Sequence, residues 1–133
     1  LITVGQIKNS KNREDLFYKF KNAGFILPTI LSKNAVISSY AKIGEGSIVM
    51  NNVVVNGKAE IEENCILNTS CIIEHDSFIG KNTHVSTSSV INGNCRIGSN
   101  CFIGSNSTIN HNLSIADYTI VPSHSRISKN IEN

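Results

Sequence analysis

The sequence has almost no surplus of charge. Its 12 Lys and Arg stand against 10 Asp and Glu, and the net +2 is scattered over 133 residues. A nucleic-acid face needs clustered cations, so nucleic acid is not an expected partner. No apolar run approaches the roughly 18 residues that a membrane-spanning helix requires, so no membrane partner is expected either. The first residues lack the layout of a signal peptide, and the chain does not open on Met, which leaves room for an upstream segment.

Insertions are missing too. From Ala35 to Asn130 a six-residue repeat runs without interruption, as in AVISSY, AKIGEG, CIIEHD, CRIGSN and CFIGSN. The third residue is Ile, Val or Leu in all sixteen hexads, from Ile37 to Ile127. The first is Ala, Ser, Cys or Thr, with Val53 and Leu113 as exceptions. An unbroken period of this kind signals a stacked solenoid.

Positions one and three lie two residues apart and share a face on an extended strand. That face is the inside of the coil. Positions four to six carry Gly, Asn, Asp, Ser and Lys, which turn a chain. Three strands and three corners then make a triangular coil of 18 residues, stacked at roughly 4.8 Å so that each strand pairs above and below. Each buried aliphatic contributes on the order of 1.5–3 kcal/mol, and the sixteen third-position residues suffice for a core. The expected fold is an all-β solenoid, a parallel β-helix of just over five coils over residues 35–130.

Cys65, Cys71, Cys95 and Cys101 all hold position one. They read as small inward-facing core residues, reduced in the cytoplasm, since zinc would need side chains converging on one point. No metal is expected.

Residues 1–34 follow another pattern. Ile2-Thr3-Val4-Gly5 reads as a strand end and Ser10 to Ala23 as a helix with Leu16, Phe17 and Phe20 on one face. Gly24 is its stop, and Phe25-Ile26-Leu27 before Pro28 reads as another short strand. So small a piece cannot bury its own core, and it reads as an α/β remnant at the N-terminus, the end of a larger α/β domain.

Position two points outward, and every third hexad shares a side. One side carries Lys42, Glu60, Phe78, Arg96 and Ser114. The second carries Ile48, Ile66, His84, Phe102 and Ile120, and the third Val36, Val54, Ile72, Val90, Thr108 and Arg126. Two adjacent apolar sides need covering, which a homotrimer does by packing one side of each chain on the other side of its neighbour.

One column of corners reads Ser39, Gly57, His75, Gly93, His111, Lys129. His75 has a glycine below and above, and Gly93 leaves room beside the imidazole and exposes a backbone N–H. Asp76 follows His75 and can orient its ring, with Glu74 a second carboxylate in reach. In the expected trimer, His75 of one chain faces His84 of the next, two imidazoles at a subunit boundary.

The hexads resemble those of the hexapeptide-repeat acyltransferases, and this resemblance supplies the left hand of the β-helix. Ile66-Leu67-Asn68-Thr69-Ser70 leading into Ile73-Glu74-His75-Asp76, then Ile79-Gly80, His84-Val85-Ser86 and Asn92-Gly93-Asn94, is more specific. It resembles the bacterial sialic-acid O-acetyltransferase and nucleotide-amino-sugar N-acetyltransferase group. The resemblance implies acetyl-CoA as co-substrate and a sugar amine or hydroxyl as acceptor, joined in a ternary complex. It implies His75 as general base assisted by Asp76, and Gly93 N–H as donor to the thioester carbonyl. It places His84 and Asn68 near the acetyl donor, and residues 1–34 at the end of a sugar-binding domain. The group's glycine-rich first loop is absent, Val121-Pro122-Ser123-His124 replaces a Gly-x-Gly, and the chain stops before the customary tail.

Two other readings remain at this stage. A γ-class carbonic anhydrase would use histidines spaced as His75 and His111 are, but its third ligand position holds Ala116. A silent solenoid that only assembles a larger protein would consume no thioester. The sequence leaves the acceptor sugar, and nitrogen against oxygen as its acceptor atom, open.

Overall fold

The computed structural model describes residues 1–7 and 9–132. Among them, two-residue strands recur every six residues from Ile30–Leu31 to Arg126–Ile127 and fall into three parallel sheets. The first sheet stacks Ile30–Leu31, Ile48–Val49, Ile66–Leu67, His84–Val85, Phe102–Ile103 and Ile120–Val121. The second runs from Val36–Ile37 to Arg126–Ile127, and the third from Lys42–Ile43 to Ser114–Ile115. Each residue pairs with the one 18 positions on, as Val36 with Val54 and Lys42 with Glu60. The fold is the parallel β-helix expected from the repeat, with the left hand that the resemblance implied.

The third-position aliphatics fill the interior: Leu67, Ile73, Ile79, Ile91, Ile97, Ile103 and Ile109 are fully buried. From Asn52 to His124 the sixth residue of every hexad has φ between 57° and 60°. That left-handed conformation suits the Asn, Asp and Ser that dominate the corners.

Position one does more than fit. Ser47 Oγ donates to Glu62 O at 2.9 Å, Thr83 Oγ1 to Gly98 O at 2.8 Å and Ser107 Oγ to Pro122 O at 2.8 Å. The thiols of Cys65 and Cys101 do the same for Gly80 O and Ala116 O, each at 3.2 Å. A small polar side chain in one coil thus donates to a corner carbonyl of the next. The cysteines are free, as core residues should be. Burial pushes the thiols of Cys65 and Cys71 up to about 12 and that of Cys101 to about 11.

The N-terminal segment corrects the sequence reading in three places. Residues 2–5 form no strand, because the Arg13 guanidinium takes the carbonyls of Ile2 at 2.7 Å and Val4 at 3.1 Å that a partner strand would have taken. Phe25-Ile26-Leu27 is not a strand either: Phe25 N–H caps Phe20 O at the helix end and Leu27 N–H goes to Glu45 Oε1 at 3.0 Å. The first strand instead follows Pro28. Ile30 N–H donates to Ser47 O and Ser32 N–H to Val49 O, both at 2.9 Å. The solenoid therefore begins one hexad before Ala35, at Thr29.

The helix forms at Lys11–Asn22, close to the expected span. Its Phe17 is fully buried with Ile2 and Leu27, while Phe20 lies more open, edge-on to Phe25. Gly46 makes the seat. Its φ is +70°, and a Cβ there would lie 2.6 Å from the Phe17 ring.

On the outside, the third sheet is polar: Lys42 pairs with Glu60 at 2.8 Å, and Arg96 lies over the Phe78 ring at 4.7 Å. On the apolar second sheet Val36 is 66% exposed and Val54, Ile72 and Val90 are half-buried. The first sheet is partly covered by the chain itself, for Ile66 and His84 are buried while Ile120 is half exposed.

Candidate active site

His75 occupies the corner between the second and third sheets, where position five projects outward. Its ring lies against Gly93 one coil up: a Cβ on Gly93 would stand 2.7 Å from His75 Cε1 and 2.8 Å from Nε2. Only glycine lets the imidazole rest there. Asp76 Oδ2 lies 2.8 Å from His75 Nδ1. A carboxylate only accepts, so Nδ1 carries a proton, and in the neutral ring Nε2 holds the lone pair. Asp76 reaches the ring because its own φ of 58° turns it back at the corner.

The backbone ties these corners together. Asp76 N–H donates to Gly57 O at 3.0 Å, Asn94 N–H to His75 O at 2.9 Å and Asn112 N–H to Gly93 O at 3.0 Å. The Asn92 carbonyl points into the coil, where Ser77 Oγ donates to it at 2.9 Å. In a trans peptide the carbonyl and the following amide point opposite ways. Gly93 N–H therefore faces outward, away from the coil interior. Glu74 is held by Asn56 Nδ2 at 2.7 Å. A hollow of about 420 Å³ opens here, lined by Glu74, His75, Asn92, Gly93, Asn94 and His111.

His84 is placed otherwise. It is 7% exposed and packs edge-on to Phe102 at 5.2 Å. Its Nδ1 lies 2.6 Å from Gln6 O and its Nε2 3.2 Å from Asn68 Nδ2. A carbonyl only accepts, so Nδ1 carries the proton and Asn68 donates to Nε2. Asn68 is fixed in that sense because its Oδ1 accepts Thr69 N–H at 2.7 Å. Burial holds the His84 pKa below its ordinary value, against the opposing pull of the Gln6 carbonyl. His75, Asp76 and Gly93 thus meet at one corner, whereas His84 and Asn68 form a separate pair under the N-terminal segment.

The residues that hold this segment were not visible in the sequence. Arg13, 1% exposed, donates to Ile2, Val4, Gly46 and Asn64 carbonyls, and burial lowers its pKa. Gln6 donates to Asn82 O and Ser10 to Asn100 Oδ1. No local pattern marks an arginine whose partners are main-chain carbonyls far away in sequence. Among the described residues no three His, Cys, Asp or Glu side chains converge on a metal site, and no helix is long and apolar enough to cross a membrane.

Coil register and left-handed stack make this a hexapeptide-repeat solenoid. Within that architecture, residues 25–133 match the family described as GMPPB C-terminal domain, and the chain belongs to it. The acetyltransferase domain of PglB from Neisseria gonorrhoeae is 26% identical, with a TM-score of 0.93 over 96% of this chain and 62% of that one. PerB from Caulobacter crescentus, solved with CoA and GDP-perosamine, is 27% identical, with a TM-score of 0.91 over 94% of this chain and 60% of that one. WeeI from Acinetobacter baumannii shares the fold, at 22% identity and a TM-score of 0.72 over 92% of this chain and 65% of that one. This chain spans about three fifths of the length of the PglB domain and PerB structures. No curated protein sequence matches it.

Proposed function

We propose that the chain carries the transfer site of an acetyltransferase that moves an acetyl group from acetyl-CoA to the amine of a nucleotide-linked sugar. The observation that carries the reading is the His75 imidazole resting on Gly93 with Nδ1 held by Asp76. It leaves a basic Nε2 beside an outward amide. His75 Nε2 takes a proton from the acceptor amine as the amine nitrogen attacks the thioester carbonyl carbon. Gly93 N–H stabilises the oxyanion. The C–S bond then breaks, and the CoA sulfur leaves with a proton from the imidazolium. Asp76 holds the ring in register and offsets its charge while protonated.

The similarity to PerB, whose structure holds CoA and GDP-perosamine, and to the PglB domain, which is solved with acetyl coenzyme A, supports this substrate pair. An amine acceptor is favoured over a hydroxyl on the same ground. His84 and Asn68 serve the donor side as a fixed pair, and residues 1–28 lead from an upstream α/β sugar-binding domain. The exposed second sheet is covered in a homotrimer, and the free buried thiols suit the cytoplasm.

The test is acetyl transfer by the full-length protein across a panel of nucleotide amino sugars and sialic-acid-like sugars, with wild type beside His75→Ala. Turnover by the variant should fall by roughly two to four orders of magnitude while coenzyme binding changes little, as expected for loss of a general base. Activity within tenfold of wild type removes His75 from that role.

A further inference from the structure

The Gly93 amide has a support of its own inside the coil. Ser77 is 1% exposed, and its hydroxyl is fixed from both sides. Cys95 N–H donates to Ser77 Oγ at 3.2 Å, and Ser77 Oγ donates to Asn92 O at 2.9 Å. That carbonyl belongs to the same peptide unit as Gly93 N–H. Asn92 is anchored on its other side, its N–H and Nδ2 both reaching Ile109 O at 3.1 and 2.8 Å. The same hydroxyl lies 3.5 Å from His75 O, between the turn that bears the imidazole and the turn that bears the amide.

The bond recurs around the repeat, and in this column the Cys95 thiol makes it to Asn110 O at 3.0 Å; what sets Ser77 apart is the glycine amide above it. Position one beneath this column of corners reads Ala41, Ala59, Ser77, Cys95, Leu113. The one hydroxyl in that series lies under Gly93. Gly57, the other glycine of the column, stands over Ala41, which has nothing to donate. A hydrogen bond to a peptide carbonyl strengthens the donor at the far end of the unit, by about 10–30% per bond.

We propose that Ser77 is a positioning residue that aims and polarises the Gly93 amide, so that it meets the thioester oxygen in the transition state. This rests on the acetyl-transfer reading. It adds a buried residue that touches neither substrate.

The experiment compares Ser77→Ala, Ser77→Thr and Ser47→Ala in the full-length protein. Ser47 makes the same pair of hydrogen bonds, to Glu62 O and from Cys65 N–H, at a corner far from His75. Alanine is tolerated in the column at Ala41 and Ala59, and threonine makes the equivalent bond at Thr83. Ser77→Ala should lower kcat by about 5- to 30-fold, a fraction of the loss when an oxyanion donor is removed outright. Both KM values should stay within about threefold and the pH profile should keep its position, because ground-state binding and the base are untouched. Ser77→Thr should restore kcat, and Ser47→Ala should match wild type.

A loss in Ser77→Ala no larger than in Ser47→Ala, a loss carried by KM, or no rescue by threonine overturns the proposal. If wild type transfers no acetyl group to any acceptor, the functional reading fails and the amide decides the strut by itself. In 15N-labelled protein the Gly93 amide proton should move upfield in Ser77→Ala and return in Ser77→Thr, with Gly57 unmoved. An unmoved Gly93 resonance overturns it.

Discussion

His75 and His84 stand nine residues apart in one coil and share little else. His75 sits at a corner, its side chain 64% exposed, with Nδ1 on a carboxylate and Nε2 free beside a glycine. His84 sits on a strand under the chain's own N-terminal segment, with both nitrogens engaged by Gln6 and Asn68. Both rings carry their proton on Nδ1, yet one presents a lone pair to a hollow and the other has its lone pair already taken. Hexad position determines which is which: position five projects from a corner, and position two is open only where nothing is laid over the sheet. The corner leaves a ring nitrogen open to a hollow, and the strand position has both of its nitrogens bonded within the chain.

The sharpest way to break this contrast is at Gly93. In Gly93→Ala the new methyl would press on the His75 ring at 2.7 Å and displace it. Activity should fall by about a hundredfold, the usual effect of an ångström of misplacement at a reacting group. The melting temperature should hardly move, since the displaced ring is exposed. Full activity with the ring moved would show that the glycine does not fix the base.

A smaller effect is expected at Arg13, which anchors the segment covering His84. Arg13→Met leaves the Ile2, Val4, Gly46 and Asn64 carbonyls without their donor. Undocking residues 1–28 should become easier by roughly 2–4 kcal/mol, on the scale of buried groups losing a charged partner. Amide exchange should quicken in those residues and stay slow at Ile73, Ile91 and Ile109. Uniform acceleration along the chain would mean that anchor and solenoid are one unit.

The smallest effect is that of pH on His84. Burial lowers its folded pKa from the ordinary 6.5, and the positive charge of Arg13 adds to the lowering. As pH falls, the unfolded chain therefore takes up the proton first. Stability is complete above about pH 6.5 and declines below it toward the folded value. Urea midpoints at neutral pH and about pH 5.5 should differ more in wild type than in His84→Gln. Equal differences would show that other groups carry the acid sensitivity.

Much of this contrast was legible beforehand, for a definite reason. A parallel β-helix takes its backbone hydrogen bonds from a fixed offset, so the 18-residue register assigns each residue to a sheet, a face or a corner. The three outward stripes, the His75–Asp76 corner and the Gly93 gap all follow from counting. The segment before Thr29 has no such rule: Arg13 takes the Ile2 and Val4 carbonyls, Glu45 takes the Leu27 amide, and the Gln6 and Ser10 side chains reach out to Asn82 and Asn100 of the solenoid. Covering of His84 by residues of its own chain could not be counted out. The first hexad, Thr29 to Asn34, did carry the signal, with a small residue first and Leu31 third. Ser77 looked like any small first-position residue until its hydroxyl had a direction.

The N-terminal segment lies along one edge of the solenoid, where Gln6 bonds Asn82, Ser10 bonds Asn100 and Arg13 bonds Asn64 and Gly46. In a one-dimensional stack each coil feels only its neighbours, so an unbraced array peels from its ends coil by coil. Here four successive coils are riveted to a common bar, and the His75 and Gly93 turns belong to that stretch. Unfolding acquires a direction. It should start at the far end, beyond Tyr118, and stall where the bar begins. The chain would then have a fraying end for slow loss and a clamped block that yields in one event, and the His75 corner would ride in the block.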